Sequence, residues 1–297
     1  MLNIQENNYQ QLKTFLLDHE IVNFNREIPA YSFELTSAII ANQIYFNCSR
    51  WAETYFDSCH RDSAFRERWL SAIGSWDNKI VVDIGCGPGN LYATLKGNPK
   101  LLIGIDVSEG SLKMAKKMGY IPLMADAQNL PLVSEFADIV TLNAALHHCE
   151  DMSSVLAEAA RLVRPGGMLV IDHDPQLSAW NYRGIGLWLY KIRLSLIYKM
   201  FLKSLYIPEE ERYSALATEI HHKPGHGVTE NLFRETLDPM GFTVKIYPHN
   251  NAIGAEALTG IQGNPPHWRY RTGQFLSGIN PYSRTSALSL MCLATRY

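Results

Sequence analysis

The sequence predicts an α/β fold, a largely parallel sheet doubly wound with helices, and two observations carry that prediction. From Lys79 onward four short apolar runs recur, KIVVDIGCG, LLIGIDVS, ADIVTLNAA and GMLVIDHD. Each has the length and the Val and Ile content of a strand buried on both faces. Between them lie the helical intervals LYATLKGN, GSLKMAKKMG and DMSSVLAEAARLVRPGG, the last closed by Pro165, Gly166 and Gly167, which stop a helix. Strands alternating with helices build a sheet covered on both sides.

Taken in chain order, residues 1–78 read as a helical cap segment, because NNYQQLKTFLLDHE and RDSAFRERWLSAIGSW place apolar residues at helical spacing. The core runs over 79–174 and resumes over 228–297, where VTENLFRETLDPMGFTVKIYPH supplies a helix and a strand and SALSLMCLATRY a last strand. The connection over 249–285 is longer than most loops of compact domains. Residues 175–227 are an insertion. Its stretch from Trp180 to Tyr206 carries Arg183, Lys191, Arg193, Lys199 and Lys203, no acid, and a broad aromatic face. An interfacial helix with basic residues toward anionic lipid fits that pattern, as does a helix packed in the core. The favoured reading is a lid, because an insertion after the fifth strand rises over the ligand-binding edge of such a sheet.

Composition bounds the function. The chain has 297 residues, 46% hydrophobic and 19% charged, with a net charge of −2, which gives no global field for nucleic acid. The five cysteines are scattered without CxxC or CxxH spacing, so reduced thiols are expected. MLNIQENNYQ lacks a signal-peptide pattern, no run is long enough to span a membrane, and the expected location is the cytoplasm.

The motif DIGCGPGN locates the ligand. After the first core strand, Gly85, Gly87 and Gly89 let the backbone bend and approach a ligand with no Cβ in the way. Counted from Gly85, Asn90 stands where a dinucleotide fingerprint has its last glycine, and no GK[ST] follows, so pyrophosphate and P-loop readings fit poorly. Asp106, ending LLIGIDVS, is placed to accept from both hydroxyls of a ribose. Asp126 and Ala127, ending the third strand, pair an acceptor with a small residue, which suits the amine edge of adenine. An adenosine without a phosphate grip is the expected ligand.

DIGCGPGN, the acid in GIDVS, ADAQNLP, ADIVTLNAALHH and LVRPGG, in this order, closely resemble class I S-adenosylmethionine-dependent methyltransferases, especially the branch of ubiquinone and menaquinone methyltransferases. The resemblance implies a Rossmann-like, mixed seven-stranded sheet whose last two strands pair antiparallel, under a helical cap. It implies S-adenosylmethionine as cofactor, with Asp83 and Gly85 near the methionine amino group, Cys86, Gly87 and Gly89 under the cofactor, and Asp106 and Val107 at the ribose. Asp126 and Ala127 then flank the adenine and Asn143 the methionine end.

The acceptor is less legible. A small molecule or modified peptide is expected, partly apolar, O-methylated, or esterified on a carboxylate. A lipid or quinone C-methyltransferase at a membrane surface competes, and from another class a cofactor-binding partner protein without catalysis. Tyr45, Trp51, His173, Trp180 and His222 are the candidate walls of the acceptor pocket, and His148 the candidate general base, since imidazole titrates near neutral pH. IDHD at 171–174 and HHKPGH, with His221, His222 and His226, lack ligand spacing to a partner motif, so no metal site is expected.

Overall fold

The computed structural model describes residues 9–47, 53–54, 56–57, 59, 61–192, 217–264 and 267–297. Cys48, Trp51 and residues 193–216 of the insertion lie outside these. Nine strands form one sheet: β1 (Val22–Asn23), β2 (Ala30–Tyr31), β3 (Ile80–Ile84), β4 (Leu101–Asp106), β5 (Ile121–Met124), β6 (Ala137–Asn143), β7 (Val163–Pro175), β8 (Phe242–His249) and β9 (Ser289–Arg296). Their order is β1-β2-β5-β4-β3-β6-β7-β9-β8. From β5 to β8 this is the expected seven-stranded arrangement. β3 to β7 pair in parallel, while β9 lies antiparallel between β7 and β8.

The sequence dictates this sheet through its apolar runs. Successive residues of a strand face opposite sides, so Val81, Ile139 and Val170 enter one apolar layer and Val82, Val140, Leu169 and Ile171 the other. Both faces must then be covered. Against the first layer pack α2 (Ser63–Ile73) through Phe65 and Trp69, α3 (Asn90–Leu95) through Leu91, and α4 (Glu109–Met118) through Leu112. Against the second pack α5 (Met152–Leu162) through Val155 and Leu156 and α7 (Glu230–Leu237) through Phe233 and Leu237. Caps fix the helix starts: Asp62, Ser108, Asp151 and Thr229 each accept a first-turn amide with the side chain.

Two expectations need correction. The amino-terminal segment is not wholly helical: besides α1 (Ser37–Phe46) and α2 it contributes β1 and β2, which extend the sheet beyond β5. The connection over 249–285 is not an open loop. It contains a 3₁₀ turn, Ala255–Thr259, and the helix α8 (Trp268–Leu276), which packs on α6 (Gly184–Ile192) of the insertion.

One buried ion pair ties these parts together. Arg68 of α2 donates from Nε to Asp172 of β7 at 2.9 Å, and both side chains are wholly buried. Arg68 Nη1 also donates to the carbonyls of Asn251 and Ile253 in the long connection. Removing one partner of such a pair strands a charge in low dielectric, at a cost of about 3–5 kcal/mol. Arg68→Met is therefore expected to lower unfolding stability by about that amount in urea titration. A loss below about 1 kcal/mol would show that Asp172 is satisfied without the guanidinium.

Candidate active site

The carboxyl ends of β3, β4, β5, β6 and β7 converge on one cavity of about 560 Å³, of the size that holds a cofactor-scale ligand. Its floor is the turn after β3. Gly85, Gly87 and Gly89 all have positive φ, 67°, 52° and 92°, but they serve different ends. A Cβ on Gly85 would lie 2.6 Å from Ala145 Cβ, and one on Gly89 3.0 Å from the Tyr120 ring, so these two glycines permit internal packing. A Cβ on Gly87 would meet no atom within 4 Å: this glycine faces the open cavity. Gly85, Cys86 and Gly87 line the cavity, and Gly89, which precedes α3, sits just behind this wall.

Three carboxylates at successive strand ends also line the cavity. Asp106 accepts the Gly87 amide at 2.9 Å through Oδ2 and the Ser108 amide at 2.8 Å through Oδ1. It thereby shapes the glycine turn as well as facing the ligand. Ser108, not Asp106, caps α4. Asp126 accepts the Gln128 amide at 3.0 Å, and Ala127 and Val107 complete this wall. Asp83, at the end of β3, is fully buried. Tyr120 donates to its Oδ2 at 2.7 Å and Thr141 to its Oδ1 at 2.9 Å. Burial pushes its pKa up to about 6, against the pull of those two hydroxyls. Asn143, ending β6, lines the same end.

The other end of the cavity is built from histidines. Ala144 has φ 52° and His173 φ 68°, strained values for residues with a Cβ; the first turns the chain just past the end of β6, the second lies at the irregularity near the end of β7. After the first turn, the His147 backbone amide donates to Asp174 Oδ1 at 3.0 Å and its Nδ1 lies 2.7 Å from the same oxygen. Its Nε2 lies 3.6 Å from Glu219 Oε2, and His222 Nδ1 approaches that oxygen to 2.6 Å. Burial works against an ionised Glu219, yet the His222 hydrogen bond and the neighbouring imidazoles hold its pKa at about 2.

His148 does not suit the role of base expected of it. Its Nδ1 lies 2.8 Å from the Thr218 carbonyl, so that nitrogen carries the proton. Burial, reinforced by His147, holds its pKa at about 3. An imidazole that weakly basic takes a proton poorly at neutral pH. Tyr45, His173 and His222 line the cavity as expected, but Trp180 does not. Trp180 is buried in a separate apolar cluster with Tyr182 and Leu288, and stands edge-on to His222 with ring centres 4.7 Å apart. Sequence reasoning missed Glu219, although its i,i+3 spacing to His222 was a signal, and Asn90, whose buried Oδ1 lines the cavity region without a hydrogen-bond partner.

These residues fit S-adenosylmethionine. The bare Gly87 surface admits a flat ligand, the unsatisfied Asn90 oxygen offers an acceptor, and three separated carboxylates match an ammonium, a ribose diol and an adenine amine.

Comparison with known proteins agrees. Residues 82–171 match the family model described as a methyltransferase domain. The chain is 35% identical over 128 residues to the ubiquinone biosynthesis O-methyltransferase of Thiobacillus denitrificans, covering 40% of this chain and 55% of that protein. It is 27% identical over 212 residues to the demethylmenaquinone methyltransferase of Geobacillus kaustophilus, covering 68% and 87%. The chain thus spans about half the length of the O-methyltransferase it matches. Among solved structures, the plantazolicin methyltransferase BamL, in complex with a triazolic desmethylPZN analog and SAH, superposes with a TM-score of 0.51 at 18% identity, over 88% of this chain and 95% of that one.

The two turn glycines give a test of the site's construction. Alanine at either position bears the same left-handed backbone strain, about 1–2 kcal/mol, but only at 85 does it also collide with Ala145. Gly85→Ala is expected to destabilise the fold by about 1–3 kcal/mol more than Gly87→Ala. Equal losses in thermal denaturation would contradict the packing described.

Proposed function

We propose that the chain is a class I S-adenosylmethionine-dependent methyltransferase of the quinone-type branch that O-methylates a small or medium-sized, partly apolar acceptor, a reading supported by the methyltransferase-domain match over residues 82–171 and by the two quinone-pathway relatives. The observation that carries this reading is the continuity of the cavity: one end is walled by the Gly87 turn, Asp106 and Asp126, and the other by His147, Glu219 and His222. The bound cofactor supplies an electrophilic methyl group on a sulfonium. The chain's own residues orient the two partners and exclude water, which is most of what such a transfer requires.

A hydroxyl acceptor must lose its proton, so groups in the site must bind its oxygen and take up that proton. The polar end supplies such groups, with Asp174 positioning the His147 ring. The O-methyltransferase relative supports the same reaction type. Quinone C-methylation is the second reading, favoured by the 87% coverage of the demethylmenaquinone enzyme. No helix among the described residues is long and apolar enough to cross a membrane, and we read the protein as acting on a soluble acceptor in the cytoplasm. Incubation with methyl-labelled cofactor and a panel of phenols, carboxylic acids and quinols is expected to place the label on oxygen. Label on carbon alone would transfer preference to the second reading.

Asp83 makes cofactor binding pH-dependent. With its pKa raised to about 6, ionising Asp83 costs the ligand-free fold stability as pH rises through that value; that stability is fully present only below the ordinary carboxylate range. An ammonium group held beside it favours the ionised form, so ligand binding expels the proton. The affinity for S-adenosylhomocysteine is expected to rise with pH up to about 6 and then level off, and to lose this slope in Asp83→Asn. Calorimetry in buffers of different ionisation enthalpy reads the released proton directly. In the same assay Asp106→Ala is expected to weaken binding by about 1.5–3 kcal/mol. Unchanged affinity in the folded variant would remove Asp106 from the site.

A further inference from the structure

We propose that His147, Glu219 and His222 form a binding site for a divalent transition-metal ion, zinc by preference, at the acceptor end of the cavity. The binding claim stands on the side-chain geometry; the role given to the ion rests on the methyl-transfer reading above.

One donor atom from each residue, two imidazole nitrogens and a carboxylate oxygen, lies within 4.8 Å of the others, and this is a metal-competent cluster among the described residues. His147 is prepared for it. Asp174 accepts at its Nδ1 side at 2.7 Å, which fixes the ring and directs Nε2 toward Glu219. Metal-ligating histidines are oriented by a carboxylate on the far nitrogen in this way. Asp174 is wholly buried, and its second oxygen has no hydrogen-bond partner, so the carboxylate is committed to His147. His222 is held by its packing against Trp180, 4.7 Å between ring centres, and faces His147 at 5.7 Å.

The donor set selects the ion. Magnesium and calcium favour all-oxygen shells, whereas two imidazoles and one carboxylate suit zinc and its neighbours. Three protein ligands leave a fourth position open, the arrangement of catalytic rather than structural sites. That position opens toward the cavity, because all three residues line it. To coordinate together, His222 Nδ1 and Glu219 Oε2 must separate from 2.6 Å. Tetrahedral bonds of about 2.1 Å require roughly 3.3 Å between donors. For this pair the change is under about 1 Å, and the widest donor separation, within 4.8 Å, must close by up to about 1.5 Å; both residues lie in or beside the turn at 219–225, not in a sheet strand. A cation there lowers the pKa of an acceptor hydroxyl, as it does that of water.

The surface pair His221 and His226 serves as an internal control. Their Nδ1 atoms are 3.4 Å apart and exposed, and among the described residues they belong to no cluster of three ligand-bearing side chains. In the test, chelator-treated protein is titrated with zinc by calorimetry and with cobalt(II) by visible absorption. One ion per chain is expected, with the ligand-field bands of four- or five-coordinate cobalt. His222→Ala and Glu219→Gln, both at partly exposed positions, are each expected to weaken binding at least about 10-fold, Asp174→Asn by about 10–100-fold, and His226→Ala to leave it unchanged. Absence of saturable zinc binding by the wild type overturns the site. So does undiminished affinity in His222→Ala, or loss of binding in His226→Ala. S-adenosylhomocysteine affinity, measured on the same metal-free samples, separates the two claims. If that ligand binds and zinc does not, only the metal site falls. If zinc binds and the ligand does not, the methyltransferase reading falls and the ion is left without its assigned role.

Discussion

Asp172 is the point on which the rest of the structure depends. Buried entirely, it accepts from Arg68 at 2.9 Å and pairs with His249 Nε2 at 2.7 Å. Burial disfavours its ionised form, but the Arg68 guanidinium and His249 hold its pKa well below the ordinary carboxylate range. A single side chain thereby joins three separate pieces of chain: α2 of the amino-terminal segment, the end of β7, and the end of β8 where the long connection begins. Its backbone contributes too, since its carbonyl accepts the Ala144 amide at 2.9 Å and so sets the turn that leads to His147. Two residues further on, Asp174 takes hold of His147 itself. The register of β7 against β9 shifts between Ile171 and Asp174, and His173 takes its positive φ within that irregularity.

The cavity has two ends governed by different physics. At the end assigned to the cofactor the work is done by backbone and by carboxylates fixed before any ligand arrives. Asp106 spends both oxygens on loop amides, and Asp83 holds two hydroxyls. The result is a rigid, negatively biased floor with one bare patch at Gly87. At the histidine end side chains dominate and the contacts are shared: Glu219 serves both His147 and His222 through one oxygen. One end of the cavity is thus fixed by backbone contacts, and the other rests on side-chain contacts that can rearrange.

The parts legible in the sequence were those whose signal is local. β3, β4, β6 and β7 announced themselves because each must be apolar on two faces at once, and the glycine turn because positive φ at three close positions leaves little choice of residue. β1 and β2, two residues each, carry no periodicity, and they exist only because β5 offers them an edge. α8 was hidden by its sequence WRYRTGQFL, whose exposed Trp268 and Phe275 do not mark a buried face. The Arg68 to Asp172 pair spans 104 positions, a distance over which one sequence carries no pairing signal. His147 and His148 show the same limit at closest range. Adjacent in sequence and identical in type, they part company because Asp174 stands behind one and the Thr218 carbonyl behind the other.

The length of the 249–285 connection has a structural reason. Near its start, the carbonyls of Asn251 and Ile253 receive Arg68. Further along, Gln274 of α8 donates to the carbonyls of Ala179 and Ser286, and Tyr270 packs on Trp180. The connection therefore grips the cap at one end and the insertion at the other, and the shared element between them is the cavity. Trp180 does not wall that cavity; it stands behind His222 and sets where that imidazole points. Among the described residues, the insertion thus meets the cavity through Glu219 and His222 rather than through Trp180. Among the described residues of the insertion, Trp180 and Tyr182 are buried, with Leu187 and Tyr190 packed against them, while Ile185 and Trp188 of α6 stand mostly exposed.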